Sequence, residues 1–434
     1  MSAASGPTPG PGPAAPEPAG SAEPPASRPV VRRAGGGRRW ALIAIVVVVV
    51  IVVAAVLAVG YQQKWFTSST SSLSCAKGVT LQGDGAQFVS PLMDAWIYAF
   101  AGDTGAQINY PASGSGTAIT HFSENPPLID FAVADNPLNS SERNVMPAQP
   151  LTLPVVGGAL TIIYNIGNVP GHLNLTGTIL ADIYDGTITT WNNSAIAALN
   201  PGVNLPNLGI TAVHRSDPAG TTYVLTDFLS QSSTYWKSQV GKGLTVNFAQ
   251  FKNATQTAEK GNSLMLSTVA GLPGAIGYTD LTDTLTYKTP LSYGAIENPS
   301  HNFIVPSVLN TVSAIDDKIA ASPGLPTSTA SWYNVSMVNA PGASDYPLAT
   351  LVYTYVYQSG SELTPAPGAT APTIQKAEML VYWLNWILST GQKMTNETTP
   401  TPLYYAALPA SLISIDTAGI KTMTFNGAAI PACT

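Results

Sequence analysis

The stretch Ala212–Tyr223 contains a scarce arginine at the junction of a predicted strand and helix. A β-branched run precedes Arg215, and Tyr223–Leu229 follows the loop with helical spacing. Free N–H groups at a helix N-terminus bind anions, and a guanidinium can hold an oxyanion through two hydrogen bonds. After residue 61 the only other arginine is Arg143. The loop is therefore a candidate anion site, and the alternative is a surface arginine paired with Asp217.

The same order of strand, loop and helix recurs nearer the N-terminus. The first predicted unit is a strand at Val79–Gln82, a loop at Gly83–Phe88 and a helix capped by Ser90 with Pro91 at its first position. The second is a strand at Gln107–Tyr110, a loop and a helix that begins at Thr117. The third begins with the apolar strand Asp130–Ala134, which is followed by Asp135. Repeated units of this kind predict an open parallel α/β sheet with helices on both faces. Ligands bind at the carboxyl ends of the strands in such sheets, where these loops lie.

Later segments predict a second domain. Leu151–Tyr164 predicts a long strand broken at Gly157-Gly158, where the chain would cross over. Tyr346–Tyr357 predicts the returning strand, Ser313–Ala320 a short helix, and Gln375–Ser389 a helix stopped by Gly391.

The N-terminal segment has a different character from the rest. Residues 1–39 are rich in Pro, Gly and Ala, which predicts a disordered tail. Residues 40–61 are apolar or small, which predicts a transmembrane helix. Five arginines precede this span, whereas only Lys64 and Lys77 follow closely, so the tail is predicted to be cytoplasmic. A Ser/Thr-rich linker is predicted at 62–77. A cleavable signal peptide is the alternative, but the length of the apolar run favours an uncleaved anchor.

Charge and composition limit the classes of partner. Only 10% of the 434 residues are charged, as is typical of an extracellular protein, and the length predicts two domains. The tail has a net charge of +3 and the whole chain −6, which leaves −9 on the remainder. An acidic ectodomain argues against nucleic acid as a partner.

Motifs for catalysis or cofactor binding are absent from the sequence. There is no GxxxxGK[ST] loop, and the four histidines lack zinc-ligand spacing. Cys75 and Cys433 lie near the two ends of the presumed folded part. Outside the cell they could form one disulfide, and two free thiols are the alternative. No metal or cofactor is predicted.

At these loops the chain resembles the extracellular phosphate-binding proteins of phosphate ABC transporters, the PstS type. The matching segments are Gly83–Phe88, Asn109–Ser115, Asp130–Leu138, Ile179–Trp191, Leu199–Gly202, Arg215–Thr221, Lys260–Asn262, Leu272–Tyr278 and Tyr404–Pro409. The resemblance covers roughly residues 78–415. It implies a two-lobed periplasmic-binding-protein-like (type II) fold with crossover strands. One lobe would hold 78–156 and 347–434, and the other 157–346, and the two would close on one phosphate.

The resemblance also implies a set of phosphate-binding residues: Gln87, Phe88, Ser115, Asp135, Arg215, Gly220 and Thr221. Phe88 and the Gly220-Thr221 helix start would donate backbone N–H groups, and Ser115 its hydroxyl and N–H. Arg215 would pair with phosphate oxygens and be oriented by Asp217. Asp135 would accept a hydrogen bond from the hydroxyl of the phosphate.

The role of Asp135 has a physical basis of its own. Phosphate near neutral pH keeps at least one proton and can donate it, whereas sulfate cannot. A buried carboxylate that faces an unprotonated anion meets repulsion and is left an unsatisfied acceptor, which costs several kcal/mol. One aspartate can therefore reject sulfate.

Three residues depart from the family pattern. Gln87 stands where the family usually has Thr or Ser, and Ala219 replaces a Ser that donates its hydroxyl. Asp84 is an added acid. It would either face the pocket and accept a second phosphate proton or lie in a solvent-facing turn.

These observations favour a membrane-anchored receptor that captures phosphate for an ABC permease and catalyses nothing. The departures at Gln87 and Ala219 keep a second hypothesis open, a surface scaffold or adhesion protein that has lost the ligand. An enzyme such as a phosphatase is a third hypothesis, and it lacks an activated nucleophile in the sequence.

Overall fold

The computed structural model describes residues 73–433, except Asn168, Pro170, Pro323, Ala366 and 397–401. The predicted tail at 1–39, the predicted transmembrane helix at 40–61 and most of the predicted linker lie outside the described residues. None of the helices in the described part is both long enough and apolar enough to span a bilayer.

The strands are numbered in chain order. They are β1 Thr80–Gly85, β2 Gln107–Asn109, β3 Phe131–Ala134, β4 Pro150–Tyr164, β5 Asn174–Leu175, β6 Thr211–Arg215, β7 Thr255–Glu259, β8 Ala275–Asp280, β9 Ser292–Tyr293, β10 Ala295–Glu297, β11 Phe303–Ile304, β12 Ala349–Tyr357, β13 Thr424–Phe425 and β14 Ala428–Ala429.

The α-helices are numbered in the same way. They are α1 Ser90–Thr104, α2 Ser115–Ser123, α3 Ser140–Asn144, α4 Gly177–Tyr184, α5 Ser194–Leu199, α6 Gly220–Ser232, α7 Thr234–Gln239, α8 Gly261–Gly271, α9 Leu281–Thr286, α10 Val308–Ala320, α11 Ile374–Trp386 and α12 Ala410–Ile420. Short 3-10 helices lie at Gln87–Val89, Phe248–Gln250 and Gly360–Glu362, and a π-helix at Ile387–Gly391 extends α11.

The main sheet is mixed: the parallel arrangement predicted from the βα units holds for β1, β2 and β3 but not for the whole sheet. Its order is β2-β1-β3-β12-β4-β8-β6-β7, with β9 paired to β4. We call β1, β2 and β3 the first strand group, and β6, β7 and β8 the second strand group. Each group is parallel within itself, whereas β12 and β4 run antiparallel to their neighbours. The βα pattern predicts the two groups but carries no signal for the direction of the strands that join them.

Strand β4 connects the two strand groups. Its residues up to Ala159 pair with β12, and from Leu160 onward it pairs with β8. Every residue of β4 and of β12 is buried, which explains their predominantly apolar composition.

The predicted break at Gly157-Gly158 does not occur, because β4 is continuous from Pro150 to Tyr164. The two glycines instead give room to neighbouring side chains. A Cβ on Gly157 would lie 2.2 Å from the end of Ile315 in α10, and one on Gly158 would lie 2.3 Å from the Phe88 ring. They mark close packing against the strand.

Two boundaries near the first loop also differ from the prediction. Strand β1 extends to Gly85 because Gly83–Gly85 pair with Phe131–Val133 of β3. Ser90 is the first residue of α1, and Val89 occupies the N-cap position.

Cys75 and Cys433 form a disulfide, with their Cα atoms 5.6 Å apart. The described chain contains no free cysteine. The bond joins residues separated by 358 positions, so it closes nearly the whole described chain into one loop.

Candidate functional site

Arg215 is the last residue of β6 and is only 7% exposed. Its Nε donates to Asp217 Oδ1 at 2.7 Å and its Nη2 to Asp217 Oδ2 at 2.5 Å. Its Nη1 donates to Asn262 Oδ1 at 2.7 Å and to Thr221 Oγ1 at 3.3 Å. The pairing with Asp217 is present, but the alternative of a surface arginine is wrong, since the side chain is buried.

Asp217 fixes the plane of the Arg215 guanidinium. Burial acts to raise the pKa of Asp217, but hydrogen bonds and charge from Arg215, with the Gly261 N–H at 3.2 Å from Oδ1, hold that pKa below its ordinary value. Asp217 is therefore ionised at neutral pH, and its two oxygens hold one edge of the guanidinium.

Asn262 is a site residue whose role the sequence did not reveal. It is the second residue of α8 and is buried. Its Nδ2 donates to Asp280 Oδ2 at 2.9 Å and to Asp283 Oδ2 at 3.0 Å, while its Oδ1 accepts from Arg215. One sequence signal could have identified Asn262: a strand is followed by a glycine that begins a helix, Gly261 here and Gly220 at the start of α6. Burial, together with the neighbouring Asp283 charge, raises the pKa of Asp280 well above its ordinary value.

Helix α6 begins at Gly220, with Ala219 in the N-cap position. No side chain caps the helix there, as expected for an alanine. The Ala219 N–H donates to the Leu244 carbonyl at 3.0 Å. Ala219 thus leaves the first turn of α6 without the hydroxyl that the family pattern supplies.

Ser115 and Asp135 lie on loops of the first strand group. Ser115 is the first residue of α2, and Asp135 follows β3. Both are buried, and Ser115 Oγ accepts from the Asp135 N–H at 3.4 Å. Gly114, which precedes Ser115, has a φ of +108° that strongly favours glycine.

The loops of the two strand groups are in direct contact. A Cβ on Gly220 would lie 2.5 Å from Asp135 Oδ2, so only glycine allows this approach. The Gly116 N–H donates to the Pro218 carbonyl at 3.2 Å. The Asp135 carboxylate is therefore held against the N-terminus of α6.

The environment of Asp135 is electrostatically unusual. The residue is 2% exposed, and its Oδ1 has no hydrogen-bond partner among the described residues. Burial raises the pKa of Asp135 to about 7, although the Arg215 charge acts in the opposite direction. A buried, unpartnered carboxylate oxygen is costly, so this atom fits a ligand that donates a hydrogen bond.

Gln87 and Phe88 lie in the 3-10 helix after β1. Gln87 Oε1 accepts from the Asn262 N–H at 2.9 Å and from Arg215 Nη2 at 3.4 Å. The Phe88 carbonyl accepts from the Tyr405 hydroxyl at 2.9 Å. Six predicted site residues, Gln87, Ser115, Asp135, Arg215, Gly220 and Thr221, are joined by these contacts and by adjacency along the chain, and Phe88 is connected to them as the neighbour of Gln87.

Asp84 is 1% exposed, so the solvent-facing alternative is wrong. Its Oδ1 accepts from the Ser113 N–H at 2.9 Å, and its Oδ2 accepts from Ser113 Oγ at 2.5 Å and lies 2.8 Å from His121 Nδ1. Its partners are 29 and 37 positions away, which is why a turn was the simpler interpretation. Both oxygens of Asp84 are bonded to the loop that carries Ser115.

The cluster combines a guanidinium, a helix N-terminus and an unpaired buried acceptor. Among residues 73–433 with the gaps given above, no group of three or more His, Cys, Asp or Glu side chains could hold a metal. The arrangement suits a small oxyanion that carries a proton.

Comparison with known proteins agrees with this assessment. The family model for the PBP superfamily domain matches residues 67–390. The phosphate-binding protein PstS of Xylella fastidiosa (strain Temecula1) is 32% identical over 357 residues, which is 82% of this chain and 89% of that protein. The PstS of Methanocaldococcus jannaschii is 30% identical over 322 residues, 73% of this chain and 80% of that protein. The chain therefore belongs to the PBP superfamily and, within it, to the PstS family of phosphate-binding proteins.

Solved structures support the fold. A high-affinity periplasmic phosphate-binding protein (PfluDING) bound with phosphate matches with a TM-score of 0.57 and 17% identity. The match covers 81% of this chain and all of the other. At this identity the likeness shows the α/β periplasmic-binding-protein-like fold and no more.

Proposed function

We propose that the chain is an extracytoplasmic receptor that binds inorganic phosphate and passes it to the permease of an ABC importer. One observation carries this proposal: the Asp135 carboxylate is buried and unpartnered at Oδ1, beside Gly220 and in the field of Arg215. The relatives named above are phosphate-binding proteins, and this supports the same ligand here.

Each predicted residue has a role in the proposed complex. Arg215, held by Asp217, would turn to a phosphate oxygen the Nη1–H that is bonded to Thr221 Oγ1 at 3.3 Å, and Gly220 and Thr221 would donate N–H groups from the start of α6. Ser115 and Phe88 donate from the first strand group. Asp135 accepts a hydrogen bond from the protonated oxygen of the phosphate. Gln87 has its Oε1 engaged by Asn262 and Arg215, so its Nε2 is the group available to an anion.

The proposed mechanism is capture without catalysis. Residues 78–156 with 347–434 would form one lobe and 157–346 the other, and the lobes would close on phosphate by a hinge motion. The change of partner along β4 after Ala159 supports a hinge there. The phosphate-binding proteins among its relatives favour a binding protein over an enzyme.

We also propose that residues 40–61 anchor the chain in the membrane, with the tail cytoplasmic and residues 62–77 as a tether. The apolar run and the arginines before it support this arrangement. The disulfide suits an oxidising, extracytoplasmic compartment.

Calorimetric titration of the purified full-length chain with phosphate, sulfate, arsenate and molybdate tests the proposal. Binding of phosphate with rejection of sulfate is expected. Equal affinity for phosphate and sulfate, or no phosphate binding by a folded chain, would overturn it.

A further inference from the structure

Gln87 makes a side-chain bridge between the two strand groups. It follows β1 in the first group, yet its Oε1 accepts from the Asn262 N–H at 2.9 Å and from Arg215 Nη2 at 3.4 Å. Both partners belong to the second group, on α8 and at the end of β6. These hydrogen bonds join protein to protein and require no anion.

The receiving end of the bridge is held rigidly. The Asn262 side chain is fixed by Asp280, Asp283 and Arg215. Gly261 has a φ of +81°, and a Cβ there would lie 2.9 Å from Gln87 Oε1. Any other residue at 261 would be strained and would crowd the glutamine, so the backbone is suited to this contact.

The other end is equally well fixed. Gln87 begins a 3-10 helix whose next residue, Phe88, is buried with its ring against Gly158 and its carbonyl bonded to Tyr405. The bridge therefore joins two stiff parts of the molecule. The Gly116 N–H to Pro218 carbonyl contact also crosses between the groups, but it involves only backbone and does not depend on the type of side chain.

We propose that Gln87 is a latch that favours the closed arrangement of the two strand groups and slows the release of bound phosphate. A Thr or Ser hydroxyl, two bonds closer to the backbone, would not reach the Asn262 N–H. The departure from the family pattern at this position thus adds a connection between the two strand groups and moves the anion donor to Nε2, farther from the backbone. The inference rests on the proposed function for its effect on release, but its effect on closure does not need phosphate.

The latch is tested in the full-length chain with the variants Gln87→Thr and Gln87→Glu. Dyes placed at the exposed positions Glu124 and Ser267, through non-cysteine chemistry, report the distance between the two groups by single-molecule FRET. Stopped-flow measurement gives the rate of phosphate dissociation. Gln239→Thr, on an exposed glutamine of α7, is the matched control.

Gln87→Thr is expected to lower the short-distance population without phosphate and to speed phosphate release about tenfold, equivalent to about 1.4 kcal/mol. Gln87→Glu keeps the acceptor oxygen, so it should retain the short-distance population while phosphate affinity falls through charge repulsion. Gln239→Thr should change neither quantity.

An unchanged distance distribution in phosphate-free Gln87→Thr would overturn the latch. If no variant binds phosphate, the proposed function fails, and the phosphate-free distances still decide the latch. Should Gln87→Thr lose its melting transition, Gln87→Glu gives the decision, because loss of the short-distance population there contradicts an acceptor role.

Discussion

At the scale of single residues, the role proposed for Asp135 is to select which anions bind. Its pKa of about 7 places the loss of its proton near neutral pH, so its hydrogen-bonding character changes within a few pH units. An ionised Asp135 only accepts, whereas the protonated acid can donate to an anion without protons.

Sulfate binding should consequently depend on pH. The affinity for sulfate is expected to rise as pH falls from about 8 to about 6, because Asp135 takes up a proton and the repulsion disappears. Asp135→Asn should bind sulfate with little pH dependence over that range. Calorimetry at several pH values measures both, and a flat wild-type profile would contradict the role given to Asp135.

The same residue should cost stability in phosphate-free buffer. The pKa is near 3.8 in the unfolded chain and about 7 in the folded one, so the folded state holds the proton more tightly. Stability therefore falls as pH rises between these values and stays reduced above 7. Asp135→Asn should exceed the wild type by about 4 kcal/mol at pH 8 and by little near pH 4. Urea unfolding at both pH values provides the measurement, and an equal gain at both would show that ionisation is not the cause.

At the scale of elements, the start of α6 depends on the absence of a side chain at Gly220. In Gly220→Ala the new Cβ would press on the Asp135 carboxylate from 2.5 Å away. Phosphate affinity should fall by roughly tenfold to hundredfold, and the melting temperature should fall as well, because a buried clash of this kind costs about 1–3 kcal/mol.

Gly209→Ala is the control for this change, since nothing lies within 4 Å of a Cβ there. Titration of both variants with phosphate gives the comparison. Equal affinities would mean that the contact between Gly220 and Asp135 does not shape the site.

The limits of sequence prediction are clearest at this scale. Continuous apolar runs identified β3, β4 and β12 to within a few residues, and an apolar segment stopped by Gly391 identified α11, because burial imposes these compositions. The Gly157-Gly158 pair led to the wrong prediction of a strand break. Glycines that make room for the side chains of Ile315 and Phe88 cannot be told in sequence from glycines that break a strand. Asn262 and the bonds of Asp84 depend on contacts between distant segments, which spacing along the chain does not encode.

At the scale of the whole molecule, the sheet order makes β4 and β12 the shared centre between the two strand groups. The resemblance implied crossover strands, and the antiparallel pairing of these two with each other became evident only with the fold. The proposed lobe boundary at 156/157 lies inside β4 and the one at 346/347 lies just before β12, and both stay predictions.

The disulfide should contribute to global stability more than to the site. Replacing both cysteines by serine, or adding a reductant, is expected to lower the free energy of unfolding by about 2–5 kcal/mol, since the unfolded chain regains its freedom. Denaturant unfolding with and without reductant measures this. The double variant must be insensitive to reductant, and a wild type that is also insensitive would contradict a bonded pair.

The bond between Cys75 and Cys433 also makes the described chain topologically closed. A single proteolytic cut anywhere between the two cysteines would open the ring without freeing either piece. The protein could therefore be cut by a protease in a surface loop and still stay whole, with the part that ends near Cys433 covalently tied to the part that begins at Cys75. The cut would be detected as two fragments only after the disulfide is reduced.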